Sequence, residues 1–319
     1  MDAPGSDCVD HWQLLRSAAE LTDQLVAAGR TLTFGLGMQG QLVQQRPAEA
    51  ALRWDSGLGW QSLLPKGDPG HELLQLYLPL CSAHARQPMT IGHLGQSLDG
   101  FIATSSGESC FVTGPANIVH LHRLRALADA VIVGVGTAAT DNPRLTTRLV
   151  AGRNPMRVIL DPHRRLKGDR TVFRDGAAET IRVSLRTSVP IPSDAAIQEL
   201  QVGGEAGHLD LRELLAWLHA RGCARILVEG GGVTVSRFLQ DGLLDRLQVA
   251  VAPLLIGAGR RGLQIPATGV LADRMRLVPQ IHRMGDDTLF DCPLRNCSGD
   301  DRALATAPAA QTPVLVGSG

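Results

Sequence analysis

Residues 225–239 read Arg-Ile-Leu-Val-Glu-Gly-Gly-Gly-Val-Thr-Val-Ser-Arg-Phe-Leu. Ile226, Leu227 and Val228 form a short apolar run of the kind that makes a buried strand. The stretch after Gly232 carries its apolar residues at amphipathic-helix spacing. Glu229, Gly230, Gly231 and Gly232 stand between the two. A strand that feeds a helix through glycines leaves backbone N–H groups unpaired at the helix start. Without Cβ atoms there, a phosphate can come close to them. The residues alone leave two readings open: a tight turn that needs positive φ, or a seat for a phosphorylated cofactor. The spacing fits neither G-x-G-x-x-G nor G-x-x-x-x-G-K-[ST]. The acid at the strand end calls for a partner in a cleft, because burial alone disfavours its charge.

The same grammar recurs along the chain. Strands are expected over Met89–Leu94, Ala130–Val135, Arg157–Asp161, Arg246–Ala252 (stopped by Pro253) and Thr288–Cys292. Helices are expected after Thr113-Gly-Pro115, with Thr113 as N-cap, and after Asp210-Leu-Arg-Glu213, which has the form of a capping box. Strands separated by helices imply an α/β fold with a mostly parallel sheet. Three zones follow: 1–88, 89–294 and 295–319. The first zone has a helical pattern over His11–Ala28 with Gly29 as its stop. It also has a hairpin pattern over Ala51–Leu64 turning near Ser56-Gly57, and a second apolar segment over His71–Cys81. It carries no chemical motif and reads as a small appended region of unknown role. The last zone, rich in Ala, Pro, Gly, Ser, Thr and Asp, reads as a tail without regular structure.

Thirty-one basic and 31 acidic residues cancel, which gives no footprint for nucleic acid or an anionic membrane. No apolar run is long enough to span a bilayer, and the N-terminus has no secretory pattern, so the cytoplasm is the expected location. The six cysteines, at 8, 81, 110, 223, 292 and 297, include no C-x-x-C. They read as free thiols, and no metal site is expected.

Four further segments join the glycine run as candidate chemistry. Gly95-Gln-Ser-Leu-Asp-Gly100 follows the first strand of the second zone, where Ser97 and Asp99 serve either as backbone caps or as site residues. Ser106–Thr113 puts polar residues before a helix. Gly134–Arg148 again puts glycines and a threonine hydroxyl after a buried strand, where open α/β sheets bind ligands. In Asp161-Pro-His-Arg-Arg165, the acid suits a ribose hydroxyl. The neighbouring His163, Arg164 and Arg165 suit a 2′-phosphate, and a solvated basic turn is the plain alternative.

Taken in order, Ser97-Leu-Asp-Gly100, Ser106-Gly-Glu-Ser109, Thr113-Gly-Pro115, Leu124-Arg125, Val133–Thr137, Asp141-Asn-Pro143, Leu145-Thr146, Arg148, Val158–Asp161 and Val228–Gly231 resemble one family. It is the reductase domain of the bacterial bifunctional riboflavin-biosynthesis deaminase/reductase. The resemblance covers roughly two-thirds of the chain. It implies a dihydrofolate-reductase-like fold, a mostly parallel sheet flanked by helices. It further implies a homodimer and NADPH-dependent reduction of the ribosyl group of 5-amino-6-(5-phosphoribosylamino)uracil to ribityl.

The family's substrate contacts fall on Ser109, Arg125, the Leu145 backbone, Arg148 and Glu229. Two arginines suit the 5-phosphate, and a carboxylate suits the pyrimidine N–H groups. The cofactor contacts fall on Gly95, Phe111, Thr137, Asp141 and the run from Gly231 to Arg237, with Gly230, Gly231, Gly232, Val233 and Thr234 at the pyrophosphate. Arg164 is the expected 2′-phosphate contact. Proton delivery to the ribose ring oxygen falls to Asp99, Asp141 or solvent, with Asp141 ranked first, so Asp141 and Glu229 are the candidate catalytic residues.

Two departures stand out. His93 occupies the position of a lysine that usually points into the family's substrate site, which brings the identity of the substrate into question. Residues 1–88 lack the histidine, glutamate and paired cysteines of the zinc deaminase domain. If the chain serves flavin synthesis, deamination is expected on another protein. Two other functions remain open: an NADPH reductase of a related pyrimidine or pteridine pathway, and a non-catalytic paralogue that binds NADPH.

Overall fold

The computed structural model describes residues 10–37, 40–109, 112–186, 197–266, 276–294 and 314–316. The chain divides into two compact units, Met1–Gln87 and Pro88–Gly319.

The first unit contains α1 (His11–Ala28), β1 (Leu32–Leu36), β2 (Leu42–Gln44), β3 (Leu52–Asp55), β4 (Gly59–Ser62) and α2 (His71–Cys81). α1 has the bounds expected from its periodicity. The Asp10 carboxylate accepts from the N–H groups of Trp12 and Gln13, and Gly29, at φ 63°, closes the other end. The four strands form an antiparallel sheet in the order β2-β1-β3-β4. The expected hairpin is β3–β4, and it sets Trp54 opposite Trp60, their rings 5.4 Å apart and edge-on. Trp60 Nε1 donates to the Thr22 hydroxyl at 2.9 Å, and that hydroxyl lies 2.7 Å from the Cys81 carbonyl oxygen. One buried hydroxyl thus ties α1, the hairpin and the end of α2 together.

The second unit runs β5 (Met89–Ser97), β6 (Phe101–Thr104), α3 (Pro115–Leu127), β7 (Ala130–Gly134), α4 (Val135–Asp141), β8 (Met156–Leu160), α5 (Thr171–Arg174), β9 (Thr180–Leu185) and β10 (Gln198–Val202). It continues β11 (Gly204–Glu205), β12 (His208–Leu209), α6 (Leu211–Ala220), β13 (Arg225–Glu229), α7 (Gly232–Gln240), β14 (Arg246–Ala252), β15 (Gly259–Arg261), β16 (Gln280–Met284), β17 (Asp287–Pro293) and β18 (Val314–Val316). Ten strands form the main sheet in the order β16-β17-β14-β5-β13-β7-β8-β9-β10-β18. The stretch from β14 to β10 is parallel throughout, and the flanking strands β17, β16 and β18 are antiparallel. This is the mostly parallel α/β sheet expected from the alternation of strand and helix.

In β7, Ala130 to Val133 are all buried, as covering both faces of a central parallel strand requires. One face packs Ile132, Val158, Ile181, Val183, Ile226 and Val228 with Leu214 and Leu218 of α6 and Val235 and Phe238 of α7.

The local expectations change in four places. β5 continues to Ser97, beyond Leu94. Gly114, not Thr113, caps α3. Its N–H donates to Asp287 Oδ2 at 2.7 Å, while the Thr113 hydroxyl accepts from Asn117 Nδ2 at 3.0 Å. Asp210 caps α6 as expected, but Glu213 does not complete a capping box. Its carboxylate accepts from Gly203 N–H at 2.6 Å and pairs with Arg186. In the zone expected to lack regular structure, Val314–Val316 forms the edge strand β18 beside β10. No helix among the described residues is long and apolar enough to cross a membrane.

Candidate functional site

Because β5, β13, β7 and β8 are adjacent and parallel, the loops that follow them lie side by side. At the end of β13 the three glycines each meet a different constraint. Gly230 has φ 84°, a left-handed conformation that suits glycine. A Cβ on Gly231 would lie 3.1 Å from the Thr137 hydroxyl, and Gly231 N–H donates to that hydroxyl at 3.0 Å. A Cβ on Gly232 would fall 1.9 Å from the Gly262 carbonyl oxygen. Gly134 makes room in the same way for Thr234, whose hydroxyl lies 2.4 Å from the place a Cβ would take. The loops after β7 and β13 are thus locked together through Thr137. No side chain caps α7, whose N-terminus starts at this junction with Val233 exposed. Gly95 allows the close approach of Thr113, 2.8 Å from its absent Cβ.

Behind the junction, Glu229, His93, Gln248 and Asp291 stand in register on β13, β5, β14 and β17, all buried. A row of polar side chains therefore crosses the middle of the sheet on the face covered by α3. Arg125, from α3, closes one end. Its Nε donates to Glu229 Oε1 at 2.6 Å and its Nη2 to Glu229 Oε2 at 2.7 Å. The two residues are 7% and 4% exposed. Burial opposes the charge on Arg125, but the Glu229 carboxylate more than offsets this, so its pKa rises.

At the other end, Arg246 makes the same two-pronged contact with Asp291, at 2.6 and 2.7 Å. Between them, Gln248 Oε1 lies 3.0 Å from His120 Nε2, and the rings of His120 and His93 meet edge-on at 5.1 Å. Burial, with help from nearby Arg125, depresses His93 to a pKa of about 4, so it is neutral near pH 7. Its Nδ1 is buried and has no hydrogen-bond partner among the described residues.

Arg125 and Glu229, both expected to contact the substrate, also engage each other. Arg148 is the exposed arginine of the set. Its backbone N–H donates to His122 Nδ1 at 2.9 Å, and its Nη1 donates to the Thr146 hydroxyl at 2.8 Å. Accepting at Nδ1 fixes His122 as the neutral tautomer. Burial, then Arg125 and Arg148, lowers its pKa to about 4. The Thr146 carbonyl oxygen accepts from Arg125 Nη1 at 3.3 Å. Leu145, buried beside it, holds a left-handed φ of 54°, a strained conformation for a side chain of this kind.

On the outer side, the Ser109 hydroxyl donates to Asp141 Oδ1 at 3.4 Å. Desolvation raises the Asp141 pKa, while Ser109 and Arg260 hold it back. Asp99 has the opposite character. The Ser97 hydroxyl at 2.6 Å and the Gly257 N–H at 2.7 Å hold its pKa at about 2, so it is a loop anchor and a poor proton donor. Arg164 also departs from expectation: φ 53° turns its side chain inward to pair with Glu199. Phe111 lies outside the described residues. Among the described residues, no three metal-ligating side chains come together.

The model of the family described as the RibD C-terminal domain matches residues 88–290. The chain belongs to this family. It is 33% identical over 214 residues to the 2,5-diamino-6-ribosylamino-4(3H)-pyrimidinone 5′-phosphate reductase of Methanothermobacter thermautotrophicus, covering 64% of this chain and 97% of that one. It is 35% identical over 205 residues to the riboflavin biosynthesis protein RibD of Corynebacterium ammoniagenes, 63% of this chain but 53% of that one, so it spans about half of that relative. Among solved structures, the deaminase/reductase of Thermotoga maritima superposes with a TM-score of 0.55 at 26% identity, covering 70% of this chain and 60% of that one. The riboflavin biosynthesis reductase of Saccharomyces cerevisiae shares the fold, with a TM-score of 0.54 at 21% identity over 70% of this chain and 97% of that one. The RibD C-terminal domain match places this second unit among riboflavin-pathway reductases. Residues 1–87 lie outside the matched span.

Sequence reasoning missed His122, His120, Gln248 and Arg260. One of these was signalled: Gln248, like Arg246, alternates with apolar residues in β14, which places the two on one face. His120 and His122, two apart on α3, meet different parts of the site, His120 at Gln248 and His122 at the Arg148 N–H.

Proposed function

We propose that this chain is an NADPH-dependent reductase that converts the ribosyl group of 5-amino-6-(5-phosphoribosylamino)uracil to ribityl. The observation that carries the reading is the convergence, at the ends of parallel strands, of the Thr137–Gly231 junction with Arg148 and the Arg125–Glu229 pair. The glycine cradle fits a pyrophosphate: among the described residues no side chain caps its helix start, and the first turn carries no acid. Gly230, Gly231, Gly232, Val233 and Thr234 would hold the NADPH pyrophosphate, and Gly95, Thr137 and Asp141 would line the rest of that site. When bound, NADPH supplies the hydride that reduces C1′ of the ribosyl group.

Opening the sugar requires one proton at the ring oxygen as its bond to C1′ breaks. Asp141, whose pKa desolvation raises, is the proposed donor. Arg148 offers an exposed guanidinium to the 5-phosphate, with Arg125 and Arg144 adding to the local positive field. Glu229 keeps a free lone pair on each oxygen, so it can accept from pyrimidine N–H groups while orienting Arg125. Ser109, the Leu145 backbone and His93 complete the substrate contacts.

A second substrate is favoured by one observation. The chain matches 97% of an archaeal reductase named for 2,5-diamino-6-ribosylamino-4(3H)-pyrimidinone 5′-phosphate. The test is to mix purified protein and NADPH with each pyrimidine in turn and follow the absorbance of the reduced nicotinamide. Oxidation with the uracil substrate alone supports the first reading, and oxidation with the diamino compound alone supports the second. NADPH binding without oxidation of either would indicate a non-catalytic paralogue. A homodimer belongs to the same reading, and sedimentation equilibrium tests it.

A further inference from the structure

We propose that Arg260, on β15, is a positioning residue for the proton transfer: its guanidinium lies against the turn that carries Ser109 to Asp141 and governs how readily Asp141 releases its proton. This rests on the reading of Asp141 as the donor and adds the residue that tunes it.

The strand that carries Arg260 is fixed at both ends. β15 pairs antiparallel with β6, with Gly259 opposite Thr104 and Arg260 opposite Ala103. A Cβ on Gly259 would fall 2.0 Å from the Ala103 carbonyl oxygen, so glycine there lets the two strands lie close. Before β15, the Gly257 N–H donates to Asp99 Oδ2 at 2.7 Å. After it, the Gly262 N–H donates to the Gly100 carbonyl oxygen at 2.9 Å. The Gly262 carbonyl oxygen abuts Gly232 at the start of α7. β15 is therefore tied to the loop after β5 and to the glycine junction, with Arg260 between those anchors.

The pairing slips between Arg260 and Arg261, and the adjacent arginines take different partners. The Arg261 guanidinium lies over the Phe101 ring, 5.2 Å from its centre. Arg260 is exposed and forms no ion pair among the described residues. Its guanidinium rests on Gly107, where a Cβ would stand 3.0 Å from Nη2 and 3.4 Å from Cζ. Gly107, at φ 92°, closes a turn by donating its N–H to the Thr104 carbonyl oxygen at 3.0 Å. Two residues on, the Ser109 hydroxyl donates to Asp141 Oδ1. Desolvation raises the Asp141 pKa, and Ser109 and Arg260 act against it. The remaining charged groups of the packed elements are paired or exposed. α4 has no ionisable residue besides Asp141. Glu229 is engaged by Arg125, and Arg237 of α7 by Asp241. Glu108, on the turn, and Arg144, after α4, are exposed.

The chemistry gives this cation a task. As hydride reaches C1′, the electrons of the C1′–O bond pass to the ring oxygen, which takes the Asp141 proton and becomes a hydroxyl. Asp141 is left as a carboxylate. A fixed cation nearby stabilises that carboxylate and so strengthens the acid. A direct ion pair would do more, but it would hold Asp141 ionised before the substrate arrives.

The test follows Asp141 directly. In the full chain labelled with carbon-13 at its aspartate carboxyls, NMR reads the titration of Asp141, whose signal is the one lost in Asp141→Asn. Arg260→Ala should move the midpoint upward by about half a pH unit, and Arg260→Lys should bring it back toward the unaltered value. kcat for NADPH oxidation, with whichever of the two pyrimidines the chain reduces, should fall as rising pH ionises Asp141. Arg260→Ala should shift that fall upward by the same amount and lower the plateau about twofold. An unmoved midpoint in Arg260→Ala overturns the proposal, while the donor reading stands if Asp141→Asn still loses turnover. A midpoint that moves without the pH profile of kcat also overturns it, as does a lysine variant that titrates like the alanine one. Unchanged turnover in Asp141→Asn, or no turnover by the unaltered chain, removes the donor reading and this proposal together.

Discussion

Acidification should destabilise the reductase unit through His93, and the size of the effect can be worked out. The ring is buried and neutral, with a pKa near 4 against the ordinary 6.5. In the unfolded chain it regains the ordinary value. Below about pH 6.5 the unfolded state therefore binds a proton that the folded state refuses, and stability falls as the pH drops toward 4. At pH 5 the unfolded ring is almost fully protonated and the folded ring about one-tenth so. The resulting loss is about 2 kcal/mol relative to neutral pH. For a domain of this size, that is a fall in Tm of about 4–8 °C. His120, pushed the same way chiefly by burial, adds to the trend. The assay is urea unfolding of the full chain and of His93→Gln at about pH 7.5 and pH 5. The variant should show a flatter pH dependence, whatever its stability at neutral pH. Parallel pH profiles for the two proteins would refute the account, since His93 would then not be the group refusing the proton.

Four other outcomes are expected. Glu229→Gln leaves the Arg125 charge buried without its counter-ion, which should cost about 3–5 kcal/mol of stability and impair use of the pyrimidine. NADPH affinity, read by fluorescence titration, should stay nearly intact; if it collapses, the separation of the two ligands at Glu229 and the glycines is wrong. Gly232→Ala drives a Cβ against the Gly262 carbonyl and should lower both Tm and NADPH affinity, whereas Gly136→Ala, with open space around it, should be nearly silent in the same two measurements. Asp141→Asn should reduce kcat by about 10²–10⁴-fold with little change in KM for NADPH, and unchanged turnover would remove Asp141 from proton delivery. Cys223, with its thiol pushed up to about 11 chiefly by burial, should resist alkylation near neutral pH until the chain unfolds, as timed labelling can show.

Much of this protein is legible in the order of its residues. The continuous apolar runs of β7, β8 and β13 require cover on both faces, and the helical patterns between them supply it, so the parallel sheet follows. The bounds of α1 follow from Asp10 and Gly29, and the β3–β4 hairpin follows from its turn residues. Each is a local matter of periodicity and capping. That the loops after β7 and β13, with Thr137 and Gly231, come together is legible too, because the ends of adjacent parallel strands lie side by side.

Partnership, however, was decided by tertiary structure. Arg125 and Glu229 lie 104 residues apart, and only the packing of α3 on β13 brings them together as one buried pair. The row from Glu229 through His93 and Gln248 to Asp291 exists only because four strands distant in sequence align in register. Arg164 and Arg165 are the same residue type at adjacent positions. A left-handed φ at the first sends one inward to Glu199 and leaves the other facing solvent. Sequence specifies which chemical groups are present and which way a strand or helix runs. Which charges cancel one another, and which remain to meet a ligand, depends on distances that only the folded chain creates.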